Sequence, residues 1–272
     1  MKIRYLGTAA AEGFPAIFCN CEYCKKAREL GGKNIRTRSQ AIINDDLLID
    51  FPADTYNHFL SNGILGDRIK YLFITHSHLD HLHPDDFEMR HGNYAHDMSV
   101  PILQVYCSKG AYNKINSTIE TQKGFELKLI KAYDKIELDG YEVIALPARH
   151  YAGDEALFYI IKGDKTVLYA HDTGFFYEEV FEYFEKEKIY FDFISLDCTY
   201  GPLCVADDKG HMGIENIQRL TKRLYSINAI DDNTVKYMNH FSHNANPIQD
   251  ELEKLVADTD FNISYDGEKI VI

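Results

Sequence analysis

Residues 76–81 read His-Ser-His-Leu-Asp-His, and they follow the mostly apolar run Ile-Lys-Tyr-Leu-Phe-Ile-Thr at 69–75. The run has the length and character of a strand buried on both faces. Four metal-capable side chains in six positions at its end need a rigid support and a shared ion. Imidazole is a good ligand for zinc, and a carboxylate adds charge and a second mode of binding. His76, His78, Asp80 and His81 are therefore the first candidate ligands.

Other polar clusters also follow apolar runs. Residues 141–147 lead to His150, 166–170 to His171-Asp172-Thr173-Gly174, and 235–238 to His240. Strand ends are rigid and the loops after them are free to vary, which suits an enzyme. Strands are also expected at 2–6, 102–107 and 191–196, with hairpins at 40–50 around Asn44-Asp45-Asp46, at 157–170 around Gly163, and at 263–272 around Asp266-Gly267. Helices are expected at 22–30 (stopped by Gly31), 176–188 and 214–227, where Ile214, Ile217, Leu220, Leu224 and Ile227 fall at helical spacing. Pro247 is expected to open a last helix capped by Asn246. No linker or repeat interrupts the chain, so residues 1–272 are expected to form one domain.

A second cluster is Cys19-x-Cys21-x-x-Cys24. Three of the six cysteines fall within six positions. That spacing favours a metal site in a reducing, cytoplasmic setting over a disulfide framework. Three thiolates can seat a zinc ion, and they need a fourth ligand.

The pattern HxHxDH after a strand resembles the signature of the metallo-β-lactamase superfamily. The resemblance spans about residues 2–245 and implies an α/β fold, the four-layer αββα metallo-β-lactamase sandwich, with metals at one edge. It implies that His76, His78 and His150 hold one divalent metal. Asp80, His81 and His240 would hold a second, and Asp172 would bridge them. Two such metals can share a hydroxide and clamp the attacking and leaving oxygens. Zinc or manganese suits these ligands, with iron a third choice. Asp50, at the end of 47–50, matches the family's carboxylate that orients a ligating histidine. His171 departs from the commoner Ser-Gly-Asp-Thr; it reads as a plain loop residue, with a hydrogen-bond donor supporting the ligands as the alternative.

The CxCxxC loop narrows the resemblance to the branch containing the phosphoribosyl cyclic phosphodiesterases; the pyrroloquinoline-quinone biosynthesis B proteins share a similar loop. In the first group the fourth structural ligand lies three residues after the last active-site histidine. In His240-Phe-Ser-His243 that residue is His243, which would complete a structural zinc site. A histidine in the place of His211 can protonate the leaving group in that branch, and imidazole has a suitable pKa. His211 and Asp80 are thus the expected catalytic residues.

The reaction the resemblance implies is hydrolysis of a small cyclic phosphodiester such as a phosphoribosyl 1,2-cyclic phosphate. The alternatives are an ester, lactone or thioester hydrolase on the same metals, or a non-catalytic accessory of cofactor biosynthesis. The formal net charge of −13 disfavours a nucleic-acid partner, while bound dications would make a small cleft attractive to a small anionic substrate. No apolar stretch approaches the ~18 residues of a membrane span, and no signal peptide is evident. A homodimer stays open. His83, His91 and His96 read as solvated loop histidines, Cys107, Cys198 and Cys204 as core or loop residues, and Tyr200 and Phe175-Phe176-Tyr177 as candidates for a pocket mouth.

Overall fold

The computed structural model describes residues 1–150, 155–245 and 247–272. Two seven-stranded sheets face each other. The first takes β1 (Lys2–Gly7), β2 (Gln40–Ile43), β3 (Leu47–Ile49), β4 (Tyr71–Ile74), β5 (Leu103–Cys107) and β6 (Phe125–Leu129). The second runs from β7 (Lys135–Leu138) through β8 (Tyr141–Pro147), β9 (Leu157–Lys162), β10 (Thr166–Ala170), β11 (Phe193–Asp197) and β12 (Val235–Asn239) to β13 (Phe261–Ile263). A last strand, β14 (Lys269–Val271), returns to pair with β1 in the first sheet.

The strands are apolar on both faces because both faces are covered. Alternate residues such as Tyr5, Ile43, Phe73, Val143, Tyr159, Val167 and Phe193 fill the space between the sheets. The opposite set in the first sheet, including Ile42, Leu48, Leu72, Ile74 and Val105, packs beneath Ala111 and Ile115 of α3 (Lys109–Thr118), with Phe59 of α2 (Thr55–Asn62) against the same cluster. In the second sheet, Leu168, Ile194, Leu196 and Met238 pack under α4 (Glu178–Glu187), α5 (Ile214–Ser226) and α6 (Gln249–Leu255). The period-2 alternation thus builds an αββα sandwich.

The β2–β3 hairpin turns on Asn44 and Asp45, both at positive φ (47° and 67°), as its tight turn requires. The short helix α1 (Glu22–Leu30) ends at Gly31 as its sequence indicates. Two elements differ from expectation. Residues 263–272 do not form a hairpin: β13 pairs in parallel with β12, and β14 pairs with β1. Phe261 and Ile263 belong to the core under the helices, whereas Ile270 lies between the sheets, so the two arms serve different layers. The segment between them is anchored by Asp266, which accepts hydrogen bonds from Thr8 and Thr37. The last helix begins at Gln249 with Ile248 as its cap, not at Pro247; the expected cap, Asn246, lies outside the described residues.

Candidate metal centre

The parallel strands β3, β4, β10, β11 and β12 deliver their following residues to one edge of the sandwich. Asp50, Asp172 and His240 each turn sharply there, with φ of 65°, 51° and 64°. Left-handed backbone in non-glycine residues is uncommon and concentrates at functional sites.

His76, His78 and His150 form one group of convergent donor atoms, and Asp80, His81, Asp172 and His240 form another. Asp172 reaches both. Its Oδ1 lies 3.6 Å from His150 Nε2, and its Oδ2 lies 3.0 Å from His81 Nε2 and 2.9 Å from His240 Nε2. Asp80 Oδ2 is 3.2 Å from His81 Nε2. Asp172 thus stands between the two groups of donor atoms.

The hydrogen bonds test the fit. His76 Nδ1 bonds Thr75 Oγ1 (3.0 Å), His81 Nδ1 bonds Asp50 Oδ2 (2.7 Å), His150 Nδ1 bonds the Gly210 carbonyl (3.0 Å), and His240 Nδ1 bonds Thr199 Oγ1 (2.7 Å). Each Nδ1–H therefore donates to the protein, which leaves Nε2 with a lone pair. His76 Nε2 is buried without a partner, and His81 Nε2, His240 Nε2 and Asp172 Oδ2 are buried with only charge contacts among themselves and to Asp80, none in hydrogen-bond geometry. Buried polar atoms rarely stay unpaired, and four that converge suit bound cations.

The electrostatics agree. Burial lowers the pKa of His76 and His150, which favours neutral ligands. Burial also opposes charge on His240, but Asp172 outweighs it and lifts the pKa to about 10. His81 is raised by Asp172, Asp80 and Asp50 against the same burial. The carboxylates thus demand positive charge at this spot, which either protons or a metal can satisfy.

His211 sits beside this cluster. Its ring centroid is 4.8 Å from that of His150 and 5.5 Å from that of His240. Its Nδ1 lies 2.9 Å from Asp197 Oδ2. Burial would lower the His211 pKa, yet Asp197 raises it above the usual imidazole range. Gly213 lets this loop approach closely, since a β-carbon there would lie 2.4 Å from the Leu203 carbonyl oxygen.

Asp197 escaped the sequence reading. It is fully buried and accepts bonds from the backbone N–H groups of Asp172, Thr199 and Met212 as well as from His211. Its one signal was its place at the end of an apolar run. Lys114 was also missed: its Nζ donates to the carbonyls of Ser77 (2.7 Å) and Leu82 (3.1 Å), bracing the His76–His81 loop from α3. His171 is not a loop residue facing water. It is buried, its Nε2 is 2.7 Å from Ser195 Oγ, and burial pushes its pKa to about 3. Phe176 is likewise core rather than pocket mouth, whereas Tyr200 does line the cavity.

The Cys19, Cys21, Cys24 and His243 donor atoms come together, with Cys21 Sγ 3.6 Å from His243 Nδ1. Burial raises Cys24 to about 12; Cys21 falls to about 6 because contacts led by His243 outweigh its burial. The cluster links the loop after β1 to the loop after β12. Cys107 and Cys198 are buried and Cys204 is exposed. His91 pairs with Glu88, and His83 and His96 are at least partly open to solvent.

The profile of the beta-lactamase superfamily domain matches residues 52–240. The chain belongs to that superfamily. Its members are generally hydrolases, and the histidine–aspartate cluster of this beta-lactamase superfamily protein fits a metal site. Among solved structures, a diphosphatase from the PhnP family superimposes with a TM-score of 0.76 at 19% identity, covering 100% of this chain and 97% of that one. Zinc-bound PqqB from Methylobacterium extorquens gives 0.77 at 16% identity, covering 100% of both. Human tRNase Z, short form, gives 0.68 at 15%, covering 100% and 99%. These identities speak for the fold. No curated protein sequence matches the chain. Among the described residues no helix is long and apolar enough to cross a membrane.

Proposed function

We propose that this chain is a metal-dependent phosphodiesterase acting on a small phosphodiester, cyclic by its resemblance to the phosphoribosyl cyclic phosphodiesterases. The observation that supports it most is the Asp197–His211 pair beside the two-sided Asp172. His76, His78 and His150 would hold one divalent metal, and Asp80, His81 and His240 the other, with Asp172 reaching both donor groups. Zn²⁺ or Mn²⁺ suits the mixed nitrogen and oxygen donors, with Fe²⁺ a third choice. When bound, the metals supply positive charge against the phosphate oxygens and make water a better nucleophile.

The protein groups do the rest. Asp80 lines the cavity and accepts a hydrogen bond from the attacking water. Asp197 fixes His211 Nδ1, so Nε2 is the ring nitrogen left to act on substrate. As the bond from phosphorus to the leaving oxygen breaks, that oxygen keeps the electron pair and takes the proton from Nε2. Cys19, Cys21, Cys24 and His243 would hold a structural zinc ion, which would fix the loop after β1 against the site.

The test is His211→Ala, assayed on two diesters with metal content measured on the same sample. Full metal content is expected. Turnover should fall about 10²–10⁴-fold with a poor alkoxide leaving group and far less with nitrophenolate, which departs without a proton. Equal losses on both diesters would remove the acid role. Hydrolysis of lactones or thioesters by the wild type without any diester turnover would replace the reading with the ester one, and no turnover of any class would favour an accessory protein.

A further inference from the structure

The cavity beside the cluster has a volume of about 380 Å³, at the small end for ligand sites. Beyond the histidines and aspartates its polar lining includes Glu12, Ser242 and Asn244. No lysine or arginine is among the described residues that line it, and residues 151–154 and 246 are Tyr, Ala, Gly, Asp and Asn, which add none. Glu12 is held in place. Ser242 Oγ donates to Glu12 Oε1 (2.5 Å), Asn244 Nδ2 donates to Ser242 Oγ (3.2 Å), and His243 Nε2 lies 3.7 Å from the same Glu12 oxygen. The side chain is 29% exposed, so it is anchored yet open to the cavity.

A phosphate group held away from the metal cluster would meet the Glu12 carboxylate and no counter-charge from lysine or arginine. A sugar hydroxyl would find acceptors and a donor. We propose that Glu12 sets the charge limit of the substrate: the site takes a diester with a single negative charge and a hydroxylated alcohol part, and it rejects one that carries a second phosphate. The proposal rests on the phosphodiesterase reading and narrows it, because the phosphoribosyl example carries such a second phosphate. Like charges about 6 Å apart in a partly solvated site differ by roughly tenfold in binding per charge, so the doubly ionised second phosphate should be disfavoured about 100-fold.

The test compares adenosine 2′,3′-cyclic phosphate with its 5′-phosphorylated form, using the metal-reconstituted full chain. The wild type should prefer the first by about 100-fold in kcat/KM, mainly through KM, and the preference should shrink in about 0.5 M salt because the cavity is open. Glu12→Gln keeps an acceptor for Ser242 but removes the charge, so the preference should nearly vanish; Glu12→Lys should reverse it. Calorimetric binding of adenosine 3′-phosphate and adenosine 3′,5′-bisphosphate, which are not turned over as diesters, should give the same order. Equal use of the two diesters by the wild type, or a ratio unmoved by both variants, overturns the role of Glu12 and leaves the phosphodiesterase reading intact. Lactone turnover with no diester turnover overturns that reading instead, and the calorimetric order then decides the role of Glu12 separately.

Discussion

The two halves of the sandwich place the same device at the same edge. In the first half, the buried Asp50 accepts from Thr75 and His81, and Thr75 Oγ1 in turn lies 3.0 Å from His76 Nδ1. In the second half, the buried Asp197 accepts from Thr199 and His211, and Thr199 Oγ1 lies 2.7 Å from His240 Nδ1. Each half thus uses an aspartate and a threonine to fix two imidazoles. The outcomes differ. His76 and His81 are both fully buried, and both turn an Nε2 without a hydrogen bond into the cluster. Of the second pair only His240 does so; the His211 side chain stays 19% exposed at the cavity. On the proposed reading, the same carboxylate support serves ligands on one side and, on the other, a ligand plus a group free to move a proton.

The largest effect is expected where the halves meet. Asp172→Ala should take turnover to the detection limit with circular dichroism unchanged, since its two oxygens face both donor groups; wild-type rates in that variant would break the comparison at its centre. Next come the two supporting carboxylates. Asp197→Asn should act mainly on the proton donor, with a loss of about 10²-fold or more on alkoxide leaving groups and little on nitrophenolate. Asp50→Asn should act on a ligand, weakening metal binding about 10–100-fold with the same proportional loss on both substrates. Metal titrations and paired rates on these variants sharpen the contrast, and identical profiles would erase it.

The cysteine cluster lies outside this shared device. Cys21→Ser should release one zinc per chain and lower Tm by about 10 °C, while the histidine–aspartate cluster keeps its metal; elemental analysis and a melt decide it. The smallest effect concerns a purely structural histidine of the first half. His58 is buried between Gln40 (2.7 Å) and Thr37 (2.6 Å), and burial lowers its pKa to about 4. The native state keeps it neutral while the unfolded chain protonates near 6.5. Its contribution is therefore present above pH 6.5 and is lost as the pH falls from there toward 4. Urea unfolding at pH 7 and pH 5 should show a smaller loss for His58→Gln than for the wild type.

Much of this was legible along the chain. The run before His76 is apolar on both faces from Tyr71 to Ile74, so a covered strand was its natural outcome, and α5 shows one apolar face at helical spacing. The elements that escaped lacked such a pattern. In α3 only Ala111 and Ile115 are buried, and no residue of β7 is fully buried. The final segment misled for another reason: Asp266-Gly267 is a good turn signal, but the edges of two different sheets claimed its two arms.

The sequence by itself determined the donor chemistry, because His76, His78, Asp80 and His81 crowd one turn after one strand and Cys19, Cys21 and Cys24 crowd another. Their types and spacing are local facts that no packing can alter. The tertiary structure decided which distant residues join them. Asp197 gained its role only because β11 lies between β10 and β12, which puts its carboxylate beside the Asp172 N–H and His211 Nδ1. Glu12 gained its place only because the loop after β1 packs against the loop after β12. A lone strand-end carboxylate looks like any other until the sheet order fixes its neighbours, since hydrogen bonds act over about 3 Å while residues they join here, such as Glu12 and Ser242, lie 230 positions apart.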